Sequence, residues 1–265
     1  MIVLLKERSL IKVSGEDAEI FLQSQFSNDV KNIIEKQIQM NAYCQHQGKI
    51  ISLLWVFKRH GNYYLSIPKE LRELVITKLS MFRLMSKVVI EDFSEKVHQY
   101  GLINENNDKS INIRNDLSLL TSTDLITDCQ PSSFWDLACI NSMIPEVYLN
   151  SSEKFIPQAL NLDIDQMGVS FTKGCYPGQE VVARMHYLGQ PKRRLYRFIS
   201  QFKVEVGDLL NVANSKSLKP SGSVIRVVEI ENIFHFLGVF QVEHINDSIY
   251  LNNNPDYAVE LSKDG

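Results

Sequence analysis

The residues best suited to chemistry lie in one octapeptide, Lys173-Gly174-Cys175-Tyr176-Pro177-Gly178-Gln179-Glu180. A cysteine stands between two glycines, and the proline after it is preorganised for the first turn of a helix. Apolar residues then recur at helical spacing, which predicts a helix beginning around Pro177. The positive end of that helix and the charge of Lys173 would both favour the thiolate of Cys175. The motif therefore predicts a reactive thiol, and the alternative is a small buried core residue.

The octapeptide and the Ala183-Arg184 pair after it resemble the K-G-C-Y-x-G-Q-E and A-R signature of the YgfZ family. This resemblance implies a folate-binding, tRNA-modification-linked relative of the glycine-cleavage T-protein, an aminomethyltransferase. Mitochondrial iron–sulfur assembly factors share the signature. Residues 155–162, F-I-P-Q-A-L-N-L, and residues 15–30 also resemble family segments, so the likeness runs from about residue 10 to 195.

The order of predicted elements fits this resemblance. A helix over about residues 15–25, hairpin strands and further helices favour an α+β class with helices layered on sheet. The family implies an aminomethyltransferase-like folate-binding fold with ferredoxin-like subdomains. Short strands from Arg194 onward predict a small antiparallel β-barrel. We therefore expect a folate-binding region over 1–194, with an insert subdomain at about 46–130, and a C-terminal β-barrel domain over 195–265.

Trp135 is the strongest candidate for contact with a flat ligand. The resemblance places it where the family has a tryptophan implicated in folate binding, ten residues before Pro145. An indole can stack on a pterin or aminobenzoyl ring and donate one N–H, although a tryptophan on a helix is most often a core residue. The other folate-linked tryptophan of the family would fall at about Arg8. Its absence predicts that one wall of the pocket differs here.

A polar cluster ends the first predicted helix. Gln25, Asn28 and Asp29 are either a solvated helix end or the lining of a ligand cleft, and the resemblance favours the cleft. Together with Trp135 they form the predicted tetrahydrofolate site. The motif region completes that site with Tyr176, Gln179, Glu180 and Arg184.

The resemblance also bears on catalysis. T-proteins carry acidic residues in the strand after a glycine turn, and Ser52 and Leu53 stand at those positions here. Without a carboxylate to orient or deprotonate the reacting groups, we expect folate binding without T-protein turnover. Cys175 would then act as a redox or transient-ligand thiol, with Lys173 lowering its pKa.

Three functions remain open from the sequence. The first is a YgfZ-like folate-binding protein that supports iron–sulfur enzymes and tRNA modification, with partners such as tRNA methylthiotransferases. The second is a folate-dependent aminomethyl transferase, against which the missing acid weighs. The third is an RNA-binding accessory protein, for which a basic stretch speaks.

That basic stretch lies between Lys173 and Arg197, where six lysines and arginines accompany one acid, Glu180. It is either a solvated surface, a site for the glutamate tail of folate, or a patch that meets an RNA backbone. Aromatic residues are too sparse around it for a platform that stacks single-stranded bases. We therefore rank carboxylate binding above direct contact with RNA.

Composition excludes several other classes. The chain has 265 residues, 44% hydrophobic and 22% charged, with a formal net charge of −3, which is ordinary for a globular protein. The longest apolar run, residues 50–57, is too short to cross a bilayer and predicts a buried strand. The first residues lack the pattern of a signal peptide. We expect a cytoplasmic protein with no membrane partner.

The cysteines predict no resident metal. The chain has four of them, with no C-x-x-C pair and no spacing typical of a zinc module. A cytosolic location also disfavours disulfides. An iron–sulfur connection would therefore run through partner enzymes or a shared ligand. The four are Cys44, Cys129, Cys139 and Cys175.

Overall fold

The computed structural model describes residues 1–105, 107–213 and 219–262. Parts of the predicted C-terminal barrel domain, 214–218 and 263–265, lie outside the described residues. The α-helices are α1 (Ala18–Gln25), α2 (Arg72–Phe82), α3 (Ser132–Asn141) and α4 (Gln179–Leu188). The strands are β1 (Ile2–Leu4), β2 (Arg8–Ser14), β3 (Gln39–Cys44), β4 (Ile50–Arg59), β5 (Asn62–Pro68), β6 (Val89–Asp92), β7 (His98–Ile103), β8 (Ile111–Arg114), β9 (Leu117–Ser122), β10 (Arg193–Ser200), β11 (Leu209–Val212), β12 (Gly222–Ile230), β13 (Ile233–Gln241), β14 (Ile249–Leu251) and β15 (Ala258–Leu261).

A five-stranded sheet in the order β3-β4-β5-β2-β6 forms the largest layer of the fold. Its neighbouring strands are antiparallel, and α1 and α2 pack against it. The predicted buried strand over residues 50–57 is its strand β4, whose apolar residues are covered on both faces. The register sets Trp55 opposite Ser66, and it sets Arg8 opposite Pro68. These residues therefore meet at one end of the sheet.

A second, four-stranded sheet has the order β1-β7-β9-β8. Helix α3 contacts both β1 and β7. At Gly101 of β7, an added Cβ would lie only 2.2 Å from the ring of Trp135. The glycine thus lets the indole of α3 press directly onto the sheet.

The C-terminal strands close into an antiparallel barrel in the order β10-β13-β12-β11-β14-β15. Pairing of Phe198 with Leu261 joins the last strand to the first. Phe198, Phe236 and Phe240 are fully buried in a cluster inside this barrel. The predicted α+β class with a C-terminal antiparallel β-barrel is confirmed.

A β-bulge in β12 breaks the alternation of inward and outward side chains, and it turns one charged residue away from the barrel interior. Val224 pairs with Gly238 and Arg226 with the adjacent Leu237, so Ile225 is the extra residue. A bulge re-aims the side chains that follow it. Val224 belongs to the barrel interior, whereas Arg226 reaches Asp136 of α3 outside the barrel. The barrel therefore contributes an arginine to the space between itself and α3.

Two helices begin later than the sequence predicts. Helix α1 starts at Ala18, because residues 15–17 form the turn before it. Helix α4 starts at Gln179, and Gly178 before it takes a left-handed conformation with φ +84°. A Cβ on Gly178 would lie 2.5 Å from the carbonyl oxygen of Gln45. Close packing on the β3–β4 turn thus sets the start of α4, and Pro177 stays outside the helix.

Candidate ligand-binding site

A cavity of about 610 Å³ opens where the first sheet, α3 and the barrel meet. Its walls come from segments far apart in sequence, namely residues 4–8, 125–132, α3, residues 146–148 and β12. A volume of this size suits a small organic ligand. The side chains that shape it most are Arg8, Trp135, Asp136, Glu146, Tyr148 and Arg226.

Trp135 of α3 borders this cavity. Its side chain is only 3% exposed, held by Gly101 on one side and by Trp55 on another. The two indoles meet edge to face, with ring centroids 6.1 Å apart and planes at 67°. This contact fixes the orientation of Trp135 while it still borders the cavity. The predicted binding residue is thus at once well packed and accessible to a ligand in the cavity.

Arg8 borders the same cavity as Trp135. Its guanidinium carbon lies 3.6 Å above the centre of the Trp55 ring, which is a cation–π contact. Nε donates to the hydroxyl of Ser66 at 2.8 Å, and Nη2 donates to the Ser66 carbonyl at 2.8 Å. Nη1 donates to Glu146, with which Arg8 forms a buried ion pair. Four contacts therefore fix the plane of this cation.

Arg226 and Asp136 supply a second ion pair to the cavity, from the barrel and from α3. Their nearest atoms are 2.8 Å apart, and the arginine side chain is 6% exposed. Arg226 also donates to the carbonyl of Ile144 at 3.4 Å. Arg8, Arg226, Asp136 and Glu146 together balance in charge. The two ion pairs therefore add no net charge to the cavity wall.

Two buried polar atoms of the cavity-lining residues have no hydrogen-bond partner in the described part of the chain. They are Oε1 of Glu146 and Nε of Arg226. A buried polar atom without a partner costs free energy, about 1–3 kcal/mol. Burial also raises the pKa of Tyr148 to about 12, so its phenol stays neutral near pH 7. The site thus offers a carboxylate, a guanidinium and a phenol to a ligand that both donates and accepts.

Cys175 lies elsewhere, in an exposed loop before α4. Neighbouring Lys173 is buried, and its ammonium donates to the carbonyls of Gln23 at 2.6 Å, Phe26 at 2.5 Å and Asn28 at 3.0 Å. Burial lowers the pKa of Lys173 to about 8, with the charge of Asp29 acting the other way. Lys173 thus holds the chain at the end of α1, and its effect on Cys175 stays a prediction.

The predicted polar cluster after α1 mostly bonds to its own surroundings. Asn28 Nδ2 donates to the carbonyl of Met40 at 3.1 Å, and Asp29 accepts from Gln23 at 2.9 Å. Gln25 is 6% exposed and its Oε1 has no partner among the described residues. Of this cluster Asn28 borders a separate cavity of about 400 Å³, together with Arg114. None of these residues borders the cavity beside Trp135.

The predicted binding residues around α4 form a third location. Tyr176 is buried, and burial raises the pKa of its phenol. Gln179 is half-buried, whereas Glu180 and Arg184 are exposed. None of the four borders the cavity beside Trp135. The structure therefore spreads the predicted folate contacts over three places, and their roles stay predictions.

The positions of the T-protein acids are fully buried here. The hydroxyl of Ser52 donates to the carbonyl of Leu53 at 3.1 Å. Both side chains are inaccessible to solvent. Neither can act as a general acid or base near pH 7.

Clusters of metal ligands and membrane-spanning helices are both absent from the described residues. Nowhere in 1–105, 107–213 and 219–262 do three or more His, Cys, Asp or Glu side chains come together as a metal site would need. No helix in this part of the chain has the length and apolar character needed to cross a membrane.

Sequence reasoning missed most of the cavity wall. The family resemblance draws attention to Arg8 only because the family has a tryptophan at about that position. It does not single out Glu146, Tyr148 or Arg226. Two signals were available. Arg226 interrupts the apolar strand V-I-R-V-V, and Glu146 follows Pro145 among apolar residues. A charged residue inside an apolar run is seldom buried without a partner.

The chain has many sequence relatives. An uncharacterised protein of Haemophilus influenzae is 30% identical over 241 residues, covering 86% of this chain and 85% of that protein. The tRNA-modifying protein YgfZ of Colwellia psychrerythraea is 28% identical, covering 83% and 79%. The tRNA-modifying protein YgfZ of Aliivibrio fischeri is also 28% identical, covering 86% and 80%. No family model matches the sequence.

The fold has a relative among solved structures. The crystal structure of glycine cleavage system aminomethyltransferase T from Bartonella henselae superposes with a TM-score of 0.70, covering 99% of this chain and 85% of that one. Sequence identity is 10%, so this likeness concerns the fold. The sequence relatives and the shared architecture show that this chain belongs to the YgfZ family, on an aminomethyltransferase-like fold.

Proposed function

We propose that this protein binds a reduced folate in the cavity beside Trp135 and supports tRNA modification by iron–sulfur enzymes. One observation carries the folate part of the proposal. A cavity of suitable size is bordered by Trp135 and by two buried charged residues, Glu146 and Arg226, each with one polar atom that has no partner in the described part of the chain. The tRNA part rests on relatives named as tRNA-modifying proteins.

The chemistry of the cavity suits a pterin. The ring packs against Trp135 at the cavity border. Its amino and ring N–H groups donate to a carboxylate such as that of Asp136, and its carbonyl oxygen accepts from the phenol of Tyr148. Lys6 is exposed at the cavity border and can meet the carboxylates of the glutamate tail. Each group of the ligand thus has a counterpart in the wall.

Binding in this proposal takes place without methylene transfer. Ser52 and Leu53 provide no carboxylate to orient the amine or take its proton. The folate then acts as a bound effector or a carrier for a partner enzyme. Cys175, exposed on its loop, supplies a thiol that a partner protein can reach for redox exchange or transient ligation.

Calorimetric titration with tetrahydrofolate tests the cavity. We expect binding by the native protein and a loss of about 3–10-fold in affinity for Trp135→Phe, because a smaller ring loses stacking area. Phe134→Leu is a matched control, since Phe134 is the neighbour on α3 but does not border the cavity. Absence of binding by the native protein, or equal affinity of Trp135→Phe, would overturn the folate proposal.

A glycine-cleavage assay separates this function from the transferase alternative. We expect no methylene-tetrahydrofolate to form when the protein replaces T-protein in a reconstituted system with aminomethylated H-protein. Measurable turnover above the protein-free reaction would favour the aminomethyl transferase instead.

Complementation of a deletion strain tests the thiol. We expect Cys175→Ser to fail to restore tRNA modification although it folds and binds folate like the native protein. Thr172→Ala, at an exposed position of the same loop and outside the cavity, is the matched control. Full complementation by Cys175→Ser would remove the thiol from the mechanism and leave the folate proposal standing.

A further inference from the structure

Arg8 separates the cavity from the second tryptophan of the chain. Trp55 is fully buried and does not border the cavity, whereas Arg8 does. The guanidinium lies 3.6 Å above the Trp55 ring. One face of this planar cation is therefore covered by an indole, and the other is left for whatever occupies the cavity.

The plane of Arg8 is held before any ligand arrives. Two bonds to Ser66 and the ion pair with Glu146 lie around the edge of the guanidinium. A planar group fixed by its edge donors loses little freedom when a ring stacks on its face. Arg8 is thus a preorganised platform, and Trp135, which meets Trp55 edge to face, borders the same cavity.

We infer that Arg8 is a specificity-determining residue, which stacks on the pterin and selects neutral reduced folates against cationic ones. The inference rests on the proposed folate function and deepens it. A guanidinium face attracts an electron-rich, uncharged ring. The same face repels a folate whose ring system carries a positive charge, such as 5,10-methenyltetrahydrofolate.

The other charges of the cavity do not cancel this effect. Glu146 bonds to the edge of Arg8, so its charge acts on a stacked ring from farther away than that of Arg8. Asp136 and Arg226 form their own pair 2.8 Å apart and act together as a nearly neutral dipole. Lys6 and Glu7, the remaining charged residues of the cavity wall, are exposed to solvent and opposite in sign. The charge in contact with a stacked ring is therefore that of Arg8.

A pair of ligands isolates the charge. 5-Formyltetrahydrofolate is neutral at its ring, and 5,10-methenyltetrahydrofolate is cationic, whereas both carry the same glutamate tail. We expect the native protein to bind the formyl form at least about tenfold more tightly at pH 6.5, because like charges in contact are costly at an interface. Fluorescence titration completed within minutes avoids hydrolysis of the methenyl form.

The double variant Arg8→Met, Glu146→Met removes the cation without leaving an unpaired buried charge. We expect its preference between the two folates to shrink to within about threefold. The double variant Lys203→Met, Glu205→Met, which removes an exposed pair in the barrel region, is the matched control and should keep the native preference. A thermal melt confirms that each variant is folded.

The outcomes separate this inference from the proposed function. Failure of both folates to bind the native protein overturns the folate function and the inference with it. Equal affinity of the native protein for both folates overturns the role of Arg8 and leaves folate binding intact, even if the double variant does not fold. Unchanged discrimination in a folded double variant also overturns the role of Arg8.

Discussion

The cavity beside Trp135 and the loop that carries Cys175 are built in opposite ways. The cavity gathers four charged side chains from four separate segments and holds them in two ion pairs. The loop consists of consecutive residues, exposes its thiol, and uses its lysine to bind main-chain carbonyls. A linear motif can therefore hold the backbone in place, while the residues of the cavity wall form no linear motif.

The largest expected effect concerns the ion pair of the cavity. Arg8→Met leaves Glu146 buried and unpaired, and we expect a loss of about 3–5 kcal/mol in the free energy of unfolding. Urea denaturation measures it. The double variant Arg8→Met, Glu146→Met should recover more than half of this loss, because both charges are then gone. A single variant as stable as the native protein would show that the cavity is not preorganised by this pair.

Lys173 tests the structural role of the loop. Lys173→Met removes the donor to three carbonyls and should cost about 2–4 kcal/mol in urea denaturation. Cys175→Ser, two residues away at an exposed position, should leave the unfolding midpoint unchanged. Equal stability of the two variants would contradict the view that this lysine fixes the end of α1.

Two glycines of the same motif give a smaller and matched contrast. Gly178→Ala introduces a Cβ 2.5 Å from the Gln45 carbonyl at φ +84°, which should cost about 1–3 kcal/mol. Gly174→Ala meets no atom within 4 Å and should leave stability unchanged or slightly higher. Thermal melts of both variants measure the difference in stability. A lower melting temperature for Gly178→Ala alone would show that α4 packs closely on the β3–β4 turn.

The reactivity of the four thiols sharpens the comparison without changing stability. Burial raises the pKa of Cys44 to about 12 and that of Cys139 to about 11, so both should react with iodoacetamide only after unfolding. Cys175 is exposed and should react first, and Cys129, half-buried at the cavity, should react more slowly. Mass spectrometry of tryptic peptides gives each rate.

Bound tetrahydrofolate should slow the alkylation of Cys129 several-fold and leave that of Cys175 unchanged, since only Cys129 borders the cavity. Protection of Cys175 by the ligand would break the comparison, because the loop and the cavity would then form one site.

Elements with a strong local pattern were predicted well. The apolar run over residues 50–57 becomes β4, and the short strands after Arg194 become the closed barrel. Helix starts were less accurate, because the start of α4 depends on Gly178 packing against a distant turn. The spacing of residues along the chain predicts local structure. It does not predict contacts between segments that are distant in sequence.

The same distinction between local pattern and distant contact applies to the residues of the candidate site. From the sequence, the family resemblance predicts Trp135 as a binding residue and the cysteine spacing predicts Cys175 as a thiol outside any metal module, and both roles stay predictions. Only the tertiary structure decided that Arg8 covers Trp55 and that a bulge brings Arg226 to Asp136. The physical reason is that a buried charge is defined by the partners that compensate it, and those partners come from segments that meet only after folding.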